Sequence, residues 1–253
     1  MLNKVIKLAE EAGEKIMAFY ALDIKVDRKD DNSPLTKADL AAHHHIVDGL
    51  KEIDPDTPVI SEESGVPEFS ERKDWDRYWL VDPLDGTKEF IKKNGEFTVN
   101  IALMVNRKPV MGVVYAPAMN LMYYAEKSLG SFRRQKAEGR SEQTERIFSE
   151  PVDKSHPIKI VESRSHGSPE LEAYLEKEGF NVEERVKSGS SLKICLVADG
   201  TADLYPRMGP TMEWDVAAGD AVYRYSAEDG IFESGIEYNK EDLLNPSFVI
   251  GLG

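Results

Sequence analysis

Residues Val81 to Phe90 read VDPLDGTKEF: two aspartates three apart, then Gly-Thr, directly after the apolar run Tyr78-Trp79-Leu80-Val81. A carboxylate at the end of a buried strand is costly unless something positive holds it there. A hard divalent cation with oxygen ligands meets that need. The Gly-Thr that follows can leave backbone N–H groups free to face an anion. A metal beside a phosphate is the setting for phosphoryl hydrolysis.

Two further acidic sites could converge on this pair. One is Glu62, with Glu63 beside it; the other is Asp215, in Glu213-Trp214-Asp215-Val216-Ala217-Ala218-Gly219-Asp220. Each has a bland reading on its own. Asp215 suits a helix N-cap, Glu62 a charged surface, and Asp39 a capping position. Asp82 and Asp85 resist such a reading, because Asp82 follows four bulky residues at a strand end.

The elements that must position these groups follow from hydrophobic spacing. Leu2, Val5, Ala9, Ala12, Ile16 and Phe19 recur every three to four residues and predict an amphipathic helix. Ile24 to Val26 reads as a short strand and Lys29 to Pro34 as a loop. Thr36 suits an N-cap, with Asp39 completing a variant capping box, for a second helix running to about Glu52. Val59 to Ser61 is a brief strand ending at Glu62. Phe97 to Val105 and Pro109 to Ala116 read as paired strands turned by Asn106-Arg107-Lys108, and Leu121 to Glu126 and Gly130 to Arg133 continue the sheet. The polar stretch Gln135 to Glu150 reads as an exposed loop and lobe boundary. Beyond it the rhythm alternates: strand 158–163, helix 169–178, strand 181–186, helix 191–198, strand 202–205, helix 215–225. That is an α/β lobe behind an α+β lobe.

The chain has 253 residues, enough for one large domain or two fused lobes. Its formal net charge of −14 is the opposite of what a nucleic-acid polymer attracts. A small phosphate ester remains compatible if bound cations relieve the repulsion locally. The single cysteine, Cys195, excludes an internal disulfide and a Cys-rich zinc site, and reads as a buried thiol. No stretch reads as a signal peptide or a membrane span, so the expected location is the cytoplasm. His43-His44-His45 does not read as a metal site, because consecutive helical residues point about 100° apart.

Glu62-Glu63, Asp82-Pro83-Leu84-Asp85-Gly86-Thr87 and Trp214-Asp215, in this order, resemble the signatures of the inositol monophosphatase superfamily. Its members are magnesium-dependent, typically lithium-sensitive phosphomonoesterases. The resemblance implies a mixed α/β (α+β) fold, a layered αβαβα sandwich of two fused lobes. Residues 1–150 would form the α+β lobe with most metal ligands, and 151–253 the α/β lobe with Asp215 and the nucleotide-binding residues. Lys88-Glu89-Phe90, Asn94 to Asn100, Ser163-Arg164-Ser165-His166, Gly189-Ser190-Ser191-Leu192-Lys193 and Tyr205-Pro206-Arg207 are similar to the CysQ type of 3′(2′),5′-bisphosphate nucleotidase. That similarity implies removal of the 3′-phosphate of adenosine 3′,5′-bisphosphate, a by-product of sulfate-donor metabolism, to give AMP and phosphate.

The resemblance also implies roles. Glu62, Asp82 and the Leu84 carbonyl would hold one Mg²⁺; Asp82, Asp85 and Asp215 would hold a second, in a site of two or three ions. Thr87, hydrogen-bonded to Asp39, would orient the attacking water and help take its proton. Gly86 and Thr87 would bind phosphate through backbone N–H groups, with Glu62, Asp85 and Asp215 also bordering the substrate. Ser163, His166, Ser190 and Lys193 match nucleotide contacts, Lys193 at the 5′-phosphate and His166 near the adenosine. The expected partner is a small nucleotide bisphosphate, the expected state a monomer or homodimer, and some relatives associate peripherally with the inner membrane. An inositol monophosphatase is the alternative within the superfamily. A non-catalytic cation-binding regulatory protein is the alternative outside it. A haloacid-dehalogenase arrangement is excluded, since it needs one residue between the aspartates and here Pro83 and Leu84 intervene.

Overall fold

The computed structural model describes residues 1–22, 34–136, 141–164 and 169–252. The strand expected at 24–26, most of the loop at 29–34, and His166 lie outside the described residues. Helices α1 (Leu2–Tyr20) and α2 (Pro34–Ile53) precede strand β1 (Val59–Ser61), the one-turn helix α3 (Phe69–Arg72) and strand β2 (Arg77–Asp85). Helix α4 (Thr87–Ile91) leads to β3 (Thr98–Val105), β4 (Lys108–Ala116), β5 (Leu121–Glu126), β6 (Gly130–Gln135) and β7 (Gln143–Ile147). Then come β8 (Ile158–Ser163), α5 (Pro169–Glu178), β9 (Val182–Ser188), α6 (Leu192–Ala198), β10 (Tyr205–Arg207) and β11 (Thr211–Met212). Helix α7 (Glu213–Arg224), β12 (Leu244–Asn245) and β13 (Phe248–Ile250) complete the chain.

Strands β1 to β7 form one sheet in sequence order, parallel only between β1 and β2. The unbroken apolar run in β2 is explained by burial on both faces. Trp79 and Val81 join the core under α1 and α2, whereas Tyr78 and Leu80 join the core under α6 and α7. Period-two alternation makes that division automatic. Between β3 and β4, Asn106 and Arg107 both adopt positive φ, at 50° and 59°, the twist of a tight hairpin turn. On its far side the α6–α7 layer meets Val161 of β8, while Ile158 and Ile160 face Leu171 and Leu175 of α5. The order is helix, sheet, helix, strand pair, helix, the αβαβα layering expected. The two halves therefore share a core.

Three expectations are corrected. Thr36 is not the N-cap of α2, because Pro34 already stands in the helix; proline fits a first turn, its φ preset and its missing N–H not needed there. Residues 135–150 are not one loop. Gln143–Ile147 is the seventh strand, paired with β6, and it is polar because it is an edge with only Ile147 buried. The strand at 202–205 sits later, at Tyr205–Arg207, and pairs with β13. Leu204 makes only an isolated bridge to Ile160.

The seat of α7 on the sheet decides where Asp215 points. A Cβ on Gly112 of β4 would come within 2.4 Å of the Ala218 carbonyl oxygen and 2.7 Å of Ala221 Cβ. Gly112→Ala is therefore expected to cost about 1–3 kcal/mol, or more if α7 cannot shift. Gly65→Ala, where a Cβ meets nothing within 4 Å, should stay within about 0.5 kcal/mol. Urea midpoints of the two variants check this.

Candidate active site

Asp85 stands three positions after Asp82, a spacing that in a regular strand would put them on opposite faces. The sheet register shows otherwise. Asp82 pairs with Asn100 and Asp85 with Thr98, and these partners are two apart on β3 and share a face. The extra residue on β2 is a bulge. Pro83 has no N–H to give the ladder, and the Leu84 N–H turns back to Asp82 Oδ1 at 3.1 Å. Both carboxylates thus leave the sheet on the α6–α7 side. Gly86 follows at φ 91°, a left-handed conformation in which a Cβ would lie 3.2 Å from the Phe97 Cα. That turn starts α4 with Thr87 as its first residue.

The other acids arrive from separate elements. The Glu62 backbone N–H donates to the Val81 carbonyl at 3.1 Å, fixing residue 62 beside the end of β2. Asp39 is buried on the stripe of α2 that also carries Leu35, Ala38, Ala42 and Ile46. A carboxylate on a core-facing stripe needs a reason beyond capping. Asp215 is at the third position of α7, where its Oδ2 accepts the Met212 N–H at 2.8 Å, so the bland capping geometry is present as well.

These groups feel one another. Burial first, then the negative charges of Asp85, Glu62, Asp215 and Asp39, hold the Asp82 carboxyl well above the usual carboxylate range. Asp82 is 1% exposed. Asp215 is pushed up to about 7 by burial, then by Asp85, against the Met212 N–H that favours its charged form. As the side chains stand, no three Asp, Glu, His or Cys side chains among the described residues close around one cation position. Asp85 is turned to Ser190 Oγ at 2.5 Å and Ser191 Oγ at 3.2 Å, and Asp215 to its cap. The donor chemistry nevertheless fits a hard divalent cation. A buried carboxylate among four like charges keeps its own charge only opposite a positive one.

Beside the acids opens a cleft of about 190 Å³, lined by Asp85, Gly86, Ser163, Ser190, Lys193, Arg207 and Asp215 among others. Lys193 is buried rather than solvated. Its Nζ donates to the Ser190 carbonyl at 2.6 Å and lies 5.9 Å from the centre of the Tyr205 ring. Burial pulls its ammonium down to about 8, with Asp85 opposing. Arg207 is oriented by the Gly209 and Pro210 carbonyls, at 3.1 and 3.0 Å. Lys88, Ser163, Tyr205 and Arg207 are shared with an adjoining groove of about 650 Å³ that also has Leu171, Pro206 and Met208 in its wall.

The structure thus brings together Glu62, Asp82, Asp85, Asp215 and Asp39 electrostatically. It lines one cleft with Gly86, Ser163, Ser190 and Lys193. Thr87 and Leu84 lie at the same turn, outside the cleft lining. The Ser190 hydroxyl donates to Asp85 and also contacts Thr98 Oγ1. Sequence reasoning missed Lys88 and Tyr205 as cleft residues, and it missed the Arg164 pair with Glu96 that links the two halves near the cleft. Lys88 stood in a quoted motif; nothing in the sequence paired residues 96 and 164. His43 is buried, bonded to Ser61 Oγ at 2.8 Å and edge-on to the His44 ring at 5.2 Å between centroids, while His45 reaches Glu11, so the three do not converge on one point.

A family model described as the inositol monophosphatase family matches residues 1–225, and the chain belongs to that family. Within it, the chain is of the CysQ type. It is 48% identical to the 3′(2′),5′-bisphosphate nucleotidase CysQ of Escherichia coli O157:H7 over all of both chains. To the protein of that name from Haemophilus influenzae it is 37% identical, over 99% of this chain and 92% of the other. The crystal structure of CysQ from Bacteroides thetaiotaomicron matches with a TM-score of 0.82 at 45% identity, covering 98% of this chain and 96% of that one. An inositol monophosphatase from Zymomonas mobilis shares the fold, with a TM-score of 0.76 at 23% identity.

Proposed function

We propose that this chain is a 3′(2′),5′-bisphosphate nucleotidase that hydrolyses the 3′-phosphate of adenosine 3′,5′-bisphosphate to AMP and phosphate. The observation that carries the reading is the pairing of opposites in one cleft. Asp85 and Asp215, coupled to buried Asp82, line it together with buried Lys193 and with Arg207. One phosphate of a bisphosphate then faces the acids through cations, and the other meets fixed positive side chains.

Glu62, Asp82 and the Leu84 carbonyl would hold one Mg²⁺, and Asp82, Asp85 and Asp215 would hold a second, in a set of two or three. When bound, these ions neutralise the reacting phosphate and make a neighbouring water more acidic. Thr87, through a hydroxyl directed at Asp39, would orient the attacking water, and Asp39 would take up the proton. The Gly86 and Thr87 N–H groups bind the phosphate oxygens. Lys193 takes the 5′-phosphate, with Ser163 and Ser190 beside it and His166 near the adenosine.

The test is relative turnover in Mg²⁺. kcat/KM for adenosine 3′,5′-bisphosphate should exceed that for inositol 1-phosphate by about 100-fold, the difference made by roughly 3 kcal/mol of contacts to the second phosphate. Preference for inositol 1-phosphate would overturn the substrate, and no hydrolysis of either would overturn the enzyme.

A further inference from the structure

Under the acidic cluster, where the halves of the chain meet, lies a set of polar side chains that the proposed mechanism does not use. Ser191, just before α6, is 3% exposed. Its Oγ lies 3.2 Å from Asp85 Oδ2 and also donates a short hydrogen bond to the backbone carbonyl of Asp215. Asn100 is fully buried and donates from Nδ2 to the same Ser191 oxygen at 2.9 Å. Thr98 Oγ1 lies 2.9 Å from Asn100 Oδ1 and also contacts Ser190 Oγ, so the same polar set runs from Asn100 through Thr98 to Ser190. A serine hydroxyl has one hydrogen. With Asn100 donating into it, that hydrogen is directed at the Asp215 carbonyl or the Asp85 carboxylate.

We infer that Ser191 is a positioning residue whose hydroxyl sits between Asp85 of β2 and the first turn of α7, bonded to the Asp215 carbonyl and packed against the Asp85 carboxylate, setting the separation of Asp85 and Asp215 and with it the affinity for a divalent cation. Ser190 supports the same link: it donates to Asp85 at 2.5 Å from a left-handed backbone at φ 52°, a conformation that non-glycine residues hold only where surroundings enforce it. Ser191 acts through the two aspartates and takes no part in bond making. The inference rests on the cation-dependent reading of the site.

Calorimetric titration of the full chain with Mg²⁺ alone, after chelator treatment, tests it. Ser191→Ala should weaken Mg²⁺ binding about 10-fold, the scale seen when groups orienting metal ligands are removed. Ser191→Thr, which keeps the hydroxyl, should bind close to the parental value. A Ser191→Ala chain that melts lower yet binds Mg²⁺ within about twofold of the parent overturns the inference, since a merely structural hydroxyl behaves so. If that chain does not fold, Asn100→Ala takes its place: several-fold weaker binding supports the link, and parental binding overturns it. A parental chain that takes up no Mg²⁺ overturns the cation reading and this inference together. Parental uptake that survives the substitutions overturns the inference alone.

Discussion

Asp82→Asn should lower phosphate release by about 10³-fold or more while leaving the cation-free protein more stable than the parent. Both effects come from one cause. Asp82 is buried at the meeting point of four other carboxylates, so its charge is unfavourable to the fold by itself and useful only to a cation. The amide keeps the size of the side chain and the oxygen that accepts the Leu84 N–H. It removes the repulsion, a gain of about 1–3 kcal/mol. The sign can be checked against pH. A carboxyl whose folded pKa lies above its unfolded value makes stability fall as pH rises between the two. The difference between variant and parent should then be larger at pH 8 than at pH 5, because the raised carboxyl of the folded parent is more fully ionised at the higher pH. Thermal melts in chelator at the two pH values measure it. A variant less stable than the parent at pH 8 would contradict the electrostatic picture of the site.

Lys193→Met should cost about 30- to 1000-fold in kcat/KM for adenosine 3′,5′-bisphosphate and far less for adenosine 3′-monophosphate. A charge-assisted contact between a buried ammonium and a phosphate accounts for that range, roughly 2–4 kcal/mol. Methionine fills similar volume and removes a buried charge, so folding should survive. The pH profile gives a second reading. Lys193 is pulled to about 8 in the free protein, so its positive form declines above that value. kcat/KM for the bisphosphate, which reports the free enzyme, should fall above about pH 8 in the parent. The monophosphate profile should lack that limb. Equal losses for both substrates would place Lys193 at the reacting phosphate instead.

Much of this was legible in residue types. The β2 run, ending in Asp82-Pro83-Leu84-Asp85, showed a buried strand and an acid pair at its tip. Asp215 and Glu62 followed from order and family resemblance. What the chain order could not show was long-range pairing. The bulge that puts Asp82 and Asp85 on one face depends on the partner strand, and Ser191 gains its meaning only when α6 and α7 lie against β2 and β3. The burial of Lys193 was not legible either: a lysine on a helix is usually solvated, and here tertiary packing closes over it. The edge strand β7 hid because an exposed edge selects polar residues, which look like a loop.

Helix α7 comes from the second half of the chain but lies across β2 to β6 of the first, with Gly112 admitting its backbone. Severing the chain near residue 150 would therefore strip the roof from the larger sheet and leave Tyr78, Leu80 and Val114 facing water. Neither fragment would then be a self-sufficient folding unit. The acids meet because the same piece of chain that carries one of them also seals the floor beneath the rest.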